Sequence, residues 1–127
     1  MMNPEKASLI LAVDQSPAIN SNVVRPLSQL GHQVITANTV EQAKNILESA
    51  VERPSLFIVD VGMKEFMGLE FIQFLKEDVR WNHIPILVQS MSQTIDFYQF
   101  CEGVLMKPYS SGDLTRQVGL MLGSSIA

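Results

Sequence analysis

The feature that most constrains the fold is a series of short, uninterrupted apolar runs. Each is stopped by a polar residue, and stretches of helical periodicity separate them. Leu9-Ile10-Leu11-Ala12-Val13 is stopped by Asp14, and Leu56-Phe57-Ile58-Val59 by Asp60. Ile86-Leu87-Val88 follows Pro85 and is stopped by Gln89 and Ser90. Val34-Ile35 and Val104-Leu105-Met106 are shorter runs of the same kind. A strand with one wet face alternates apolar and polar residues. A run that is apolar at every position reads as a strand buried on both faces, as in a parallel sheet.

The intervening stretches carry helix signals. Ser16 and Pro17 open a pattern with Ile19, Val23, Leu27 and Leu30 on one face, and Gly31 ends it. Thr39 and Gln42 have capping-box spacing ahead of Val40, Ala43, Ile46, Leu47 and Ala50, and Pro54 closes that segment. Leu69, Ile72, Phe74 and Leu75 mark a third helix opening near Gly68. Residues 92–101 form only a weak helical pattern. Ser110 and Asp113 can cap a last helix carrying Leu114, Val118, Met121 and Leu122. This alternation predicts an α/β fold with right-handed crossovers. Five strands and five helices fit a flavodoxin-like, doubly wound parallel sheet of order 2-1-3-4-5, with the fourth helix shortened or irregular. The 127 residues are expected to form one domain with a core over about 7–122.

Composition narrows the function. Nine basic residues stand against 13 acidic ones, a net charge of −4, so the chain lacks the basic footprint of a direct nucleic-acid binder. No apolar run is long enough to span a membrane, and no basic-then-apolar leader opens the sequence. A single cysteine, Cys101, makes neither an internal disulfide nor a cysteine-based zinc site. The expected setting is the reducing cytoplasm.

In the predicted topology, the working crevice lies beyond the carboxyl ends of strands 1 and 3. Asp14 and Asp60 end those strands, Ser90 ends strand 4, and Lys107 ends strand 5 ahead of Pro108. Taken singly, an Asp at a strand end is ordinarily a turn or cap residue, Ser90 a loop hydroxyl, and Lys107 a solvated charge. Their convergence on one edge has chemical content. Two adjacent carboxylates repel, and a hard divalent cation such as Mg2+ relieves that repulsion. A carboxylate can attack phosphorus to give an acyl phosphate, a reaction that needs mainly positioning and charge neutralisation.

These residues resemble a response-regulator receiver domain, and the likeness covers about residues 7–122. The first match is Leu9-Ile10-Leu11-Ala12-Val13-Asp14-Gln15-Ser16, in the place of the family's apolar strand and acidic pair. Asp60 is followed eight residues later by Gly68, and Ser90 stands five residues after Pro85. Lys107-Pro108-Tyr109 is similar to the family's Lys-Pro-Phe/Tyr, and Gly31-His32-Gln33-Val34 is similar to the approach to strand 2. The resemblance implies that Asp60 accepts a phosphoryl group from a histidine kinase or phosphotransfer protein. It implies that Mg2+ is held by Asp14, Asp60 and the Gly62 carbonyl. It further implies that Ser90 and Lys107 contact the phosphoryl group, that the Lys107–Pro108 bond is cis, and that modification alters binding to an output partner.

Several positions depart from the family pattern. Gln15 replaces the second acidic residue of strand 1, which removes a carboxylate and weakens the expected Mg2+ site. Lys64 and Met67 replace a Pro and an Asp near the active-site loop, and the bulky Met91 follows Ser90. The interval from Ser90 to Lys107 is short by more than one helical turn. Val104 stands where the family has its switch aromatic. Phe97, Tyr98, Phe100 and Met91 are expected to pack on the sheet, the alternative being an exposed apolar patch that binds a partner, and Trp81 and His83 to be packing and solvent residues. The departures leave a second reading open, a pseudo-receiver acting as a phosphorylation-independent interaction module. A small enzyme on a similar sheet is disfavoured. Gly62 stands where a dehalogenase-type phosphatase wants a second Asp, and neither a P-loop nor a G-x-G-x-x-G is present. Any catalysis expected is self-catalysed phosphorylation and dephosphorylation.

Overall fold

A computed structural model describes residues 8–49, 52–62, 67–91 and 99–123. Five parallel strands form one sheet: β1 (Leu9–Val13), β2 (Gln33–Ala37), β3 (Leu56–Asp60), β4 (Ile86–Ser90) and β5 (Gly103–Met106). Their order is β2-β1-β3-β4-β5, the expected one, with the reversal between β1 and β3. The helices are α1 (Arg25–Gln29), α2 (Val40–Ser49), α3 (Met67–Glu77) and α4 (Ser111–Met121). The weak helix over residues 92–101 falls largely outside the described residues, as do Ala50, Lys64, Phe97 and Tyr98.

The three central strands are buried at every position, as their unbroken apolar runs require. Alternate side chains feed two cores on opposite faces of the sheet. Leu11, Val13, Phe57, Val59, Ile86 and Val88 pack with residues of α2 and α3. Ile10, Ala12, Leu56, Ile58, Leu87 and Leu105 pack with Ile19, Val23, Leu27 and residues of α4. Phe71 on α3, which the periodic reading passed over, is fully buried and meets Phe57 edge-on with ring centroids 6.2 Å apart.

The first helical segment differs from a plain α-helix. The Ser16 hydroxyl accepts the Ala18 N–H at 3.1 Å, the bond expected of a cap. Residues Asn20–Val24 then form a π-helical turn in which the Arg25 N–H bonds to the Asn20 carbonyl. Pro26 explains this local widening, because its ring crowds the carbonyl four residues back and it has no N–H to offer. Gly31, at φ 93°, closes the segment. Its N–H bonds to the Ser28 carbonyl, and that of His32 to the Leu27 carbonyl, a Schellman arrangement. Leu30 is therefore a cap residue and is 59% exposed, against the expectation that it shares the buried face.

At α2 the Thr39 hydroxyl accepts the Gln42 N–H, but the Gln42 side chain reaches back one residue further than a capping box would, to the Asn38 N–H. At α4 the reciprocal capping box between Ser110 and Asp113 is complete. Trp81 is buried and His83 exposed, as expected. Met91 and Phe100 are 78% and 40% exposed, which corrects the expectation that they pack on the sheet. Both lie beyond strand ends, where neither face of the sheet offers them cover. No helix among the described residues is long and apolar enough to cross a membrane.

Candidate functional site

The site is built by the sheet's period. On β3, Leu56 and Ile58 face the α1–α4 layer, so two-residue alternation brings Asp60, the last residue of the strand, to that same side. Asp14 follows Ile10 and Ala12 in the same phase, and Lys107 follows Leu105. Three residues far apart in sequence thus converge on one side of the sheet's carboxyl edge.

Their contacts are specific. The Lys107 Nζ lies 2.9 Å from Asp60 Oδ2. The Gly62 N–H donates to Asp60 Oδ1 at 2.8 Å, so both carboxylate oxygens are held. The Ser16 N–H donates to Asp14 Oδ1 at 2.9 Å. Both carboxyl groups are buried, and each lies close enough for its charge to act on the other. Burial, together with the neighbouring Asp60 carboxyl, pushes the Asp14 carboxyl up to about 6, despite the Ser16 N–H and the Lys107 charge. The Lys107–Pro108 peptide is cis, as expected.

Gly68 brings the start of α3 against this site. A Cβ there would stand 2.4 Å from the Asp60 carbonyl oxygen and 2.8 Å from the Val61 Cα. Only a glycine lets the helix begin so close to the strand that carries Asp60.

Ser90 is buried at the end of β4, but it takes the opposite phase from Asp60, following Ile86 and Val88. Gly62 is exposed in the loop after β3, and Gln15 is exposed after Asp14. Val104 packs partly buried against the α2–α3 core. Two polar residues went unassigned in the sequence reading. Gln89, the register partner of Asp60, is fully buried, and the Tyr109 hydroxyl donates to its Oε1. Burial and the charges of Asp14 and Asp60 push the Tyr109 hydroxyl up to about 12. The sequence signal for Gln89 is an amide directly after three apolar residues, and its shared phase with Asp60 comes from the strand register. A cleft of about 420 Å³ opens among Asp14, Ser16, Asn22, Gln89, Lys107 and Tyr109.

The sequence matches the response regulator receiver domain family over residues 10–118. The chain belongs to that family. Among curated proteins, this receiver domain is 29% identical to the KDP operon transcriptional regulatory protein KdpE of Escherichia coli, over 89% of this chain and 50% of KdpE. It is also 29% identical to the two-component response regulator ORR5 of Oryza sativa, over 84% of this chain and 83% of ORR5. It spans about half the length of the curated relatives KdpE and the response regulator Rre1. The chemotaxis protein CheY4 of Vibrio cholerae superposes with a TM-score of 0.81 at 26% identity, covering 91% of this chain and 99% of CheY4. The receiver domain of sensor histidine kinase PA1611 from Pseudomonas aeruginosa shares the fold, with a TM-score of 0.79 at 19% identity over 94% of this chain and all of that one. The receiver domain therefore serves two-component phosphorelay signalling.

Proposed function

We propose that Asp60 is the phosphoacceptor and that a histidine kinase or phosphotransfer protein is its donor. The observation that carries this reading is the Lys107 ammonium 2.9 Å from a buried Asp60 carboxylate whose other oxygen is anchored by the Gly62 N–H. That fixes the carboxylate's orientation and sets a cation where negative charge accumulates during transfer. An Asp60 oxygen forms the new bond to phosphorus as the bond from phosphorus to the donor's imidazole nitrogen breaks. The imidazole leaves with that electron pair. Lys107 then pairs with the phosphoryl oxygens; a contact from Ser90, which stands in the opposite phase of β4, requires its hydroxyl to turn around the strand end.

The two adjacent buried carboxylates suit a hard, oxygen-seeking cation, since such an ion offsets the burial, and with it the neighbouring carboxyl, that raise Asp14. Asp14, Asp60 and the Gly62 carbonyl are the proposed Mg2+ ligands. The PA1611 receiver domain carries a magnesium ion coordinated in its active site cleft, which supports this assignment. When bound, Mg2+ supplies neutralisation of the phosphoryl oxygens. Gln15 offers an amide in place of a carboxylate, so the site is assigned a weaker affinity for the ion. The cytoplasm is the compartment proposed, and an output protein the partner that reads the modified state. The interaction module without phosphotransfer is not favoured, because the chain matches the receiver family and Asp14, Asp60 and Lys107 stand together at one edge of the sheet.

The test is intact-mass measurement after incubation with Mg2+ and acetyl phosphate. One phosphoryl adduct is expected on the parent and none on Asp60→Asn. A folded parent that repeatedly takes no adduct would sink the reading.

A further inference from the structure

Gln89 is the polar residue that the fold explains least. It follows three buried apolar residues on β4 and is 1% exposed, a place where its neighbours carry hydrocarbon. It is the register partner of Asp60 on the adjacent strand, and registered neighbours in a parallel pair face the same side. Its Oε1 accepts the Tyr109 hydroxyl, while its Nε2 is buried with no hydrogen-bond partner among the described residues. A buried amide left half satisfied destabilises the fold, so an acceptor met in another state of the protein would account for it. The Tyr109 hydroxyl keeps its proton through the neutral range and remains a donor. That contact fixes the polarity of the amide, so what Gln89 has left to offer is two N–H donors. Gln89 and Tyr109 line the same cleft as Asp14 and Lys107. Lys107 joins this cleft to Asp60, and a phosphoryl group carried on Asp60 is rich in acceptor oxygens and has no donor.

We propose that Gln89 binds the phosphoryl group, its Nε2 donating to an oxygen carried on Asp60, and that Tyr109 is the positioning residue that fixes the amide's polarity. The inference rests on Asp60 being the phosphoacceptor, and the experiment separates the two. Initial rates of adduct formation are measured by intact mass over a range of acetyl phosphate concentrations, with Mg2+, for the parent, Gln89→Leu and Tyr109→Phe. Gln89→Leu is expected to lower the maximal rate about tenfold at an unchanged half-saturating concentration, the loss of one hydrogen bond to a charged group. Tyr109→Phe is expected to show a smaller loss in the same direction. A purely structural role predicts a changed denaturation midpoint with the parent's rate. Gln89→Leu is expected instead to keep a denaturation midpoint near the parent's, since it trades the unpartnered Nε2 for an unpaired Tyr109 hydroxyl. The second readout is the Gln89 side-chain amide resonance of the 15N-labelled parent, which is expected to shift when beryllofluoride and Mg2+ are added. That readout decides the matter alone if the leucine variant does not fold. A parent rate in Gln89→Leu, or an unmoved amide in a parent that does take the adduct, overturns this proposal and leaves Asp60 as acceptor. A parent that takes no adduct and shows no beryllofluoride response removes both.

Discussion

Asp14 sets the electrostatics of the site through its position between a buried strand end and a second carboxyl group. Its carboxyl is raised from 3.8 to about 6, first by burial and then by Asp60. The folded state therefore binds a proton more tightly than the unfolded chain does. The associated stability is fully present below about pH 4 and is lost as pH rises through about 6. Asp14→Asn removes the charge and is expected to stabilise the metal-free protein at pH 7.5 by on the order of 2–3 kcal/mol, with little change at pH 4. Urea denaturation of parent and variant at the two pH values measures this, and an equal change at both would refute the assignment. Asp14 and Asp60 could be read as a site because each interrupts an apolar run at the same place in its strand. Gln89 carries only a faint sequence signal, an amide directly after three apolar residues, and its burial and its bond to a tyrosine of the next strand's loop follow from the fold.

Elements place these residues, and two small local features set where the elements sit. Gly68 allows the α3 start to lie against the Asp60–Val61 backbone. In Gly68→Ala the added methyl meets backbone, which cannot swing aside as a flexible side chain would. The variant is expected to lose about 2–3 kcal/mol in chemical denaturation and to slow adduct formation at Asp60. At α4 the capping box from Ser110 orients the helix directly after the Lys107–Pro108–Tyr109 loop. Ser110→Ala is expected to cost about 1 kcal/mol in the same assay while leaving the Asp60 chemistry intact. The box was legible as a serine three residues before an aspartate. The π-helical turn at Asn20–Val24 was not, since the 3.6-residue period describes only a regular helix and Pro26 locally breaks that regularity.

For the whole molecule, sheet, site and metal are thermodynamically linked. A cation that binds only the folded site raises stability by mass action, by about 1.4 kcal/mol at ten times its dissociation constant. Titrating Mg2+ into the parent is therefore expected to raise the thermal midpoint. The rise should shrink below about pH 6, where Asp14 holds a proton that the ion must displace. Asp14→Asn should abolish most of it. A midpoint indifferent to Mg2+ at pH 7.5 would count against the proposed ligands.

From the residues alone follow the layering, the strand order and the carboxyl edge of the sheet at which the carboxylates and Lys107 gather. Unbroken apolar runs demand burial on both faces, and only parallel strands under two helical layers provide it. Placing Asp14, Asp60 and Lys107 together required nothing beyond that topology and the two-residue period. Tertiary structure alone decided which oxygen of Asp60 meets Lys107, how far Asp14 is raised, and that Gln89 rather than Ser90 shares the phase of the carboxylates. Those outcomes depend on strand register and on the depth of burial, which are properties of neighbours brought together by folding and are written in no single stretch of the chain.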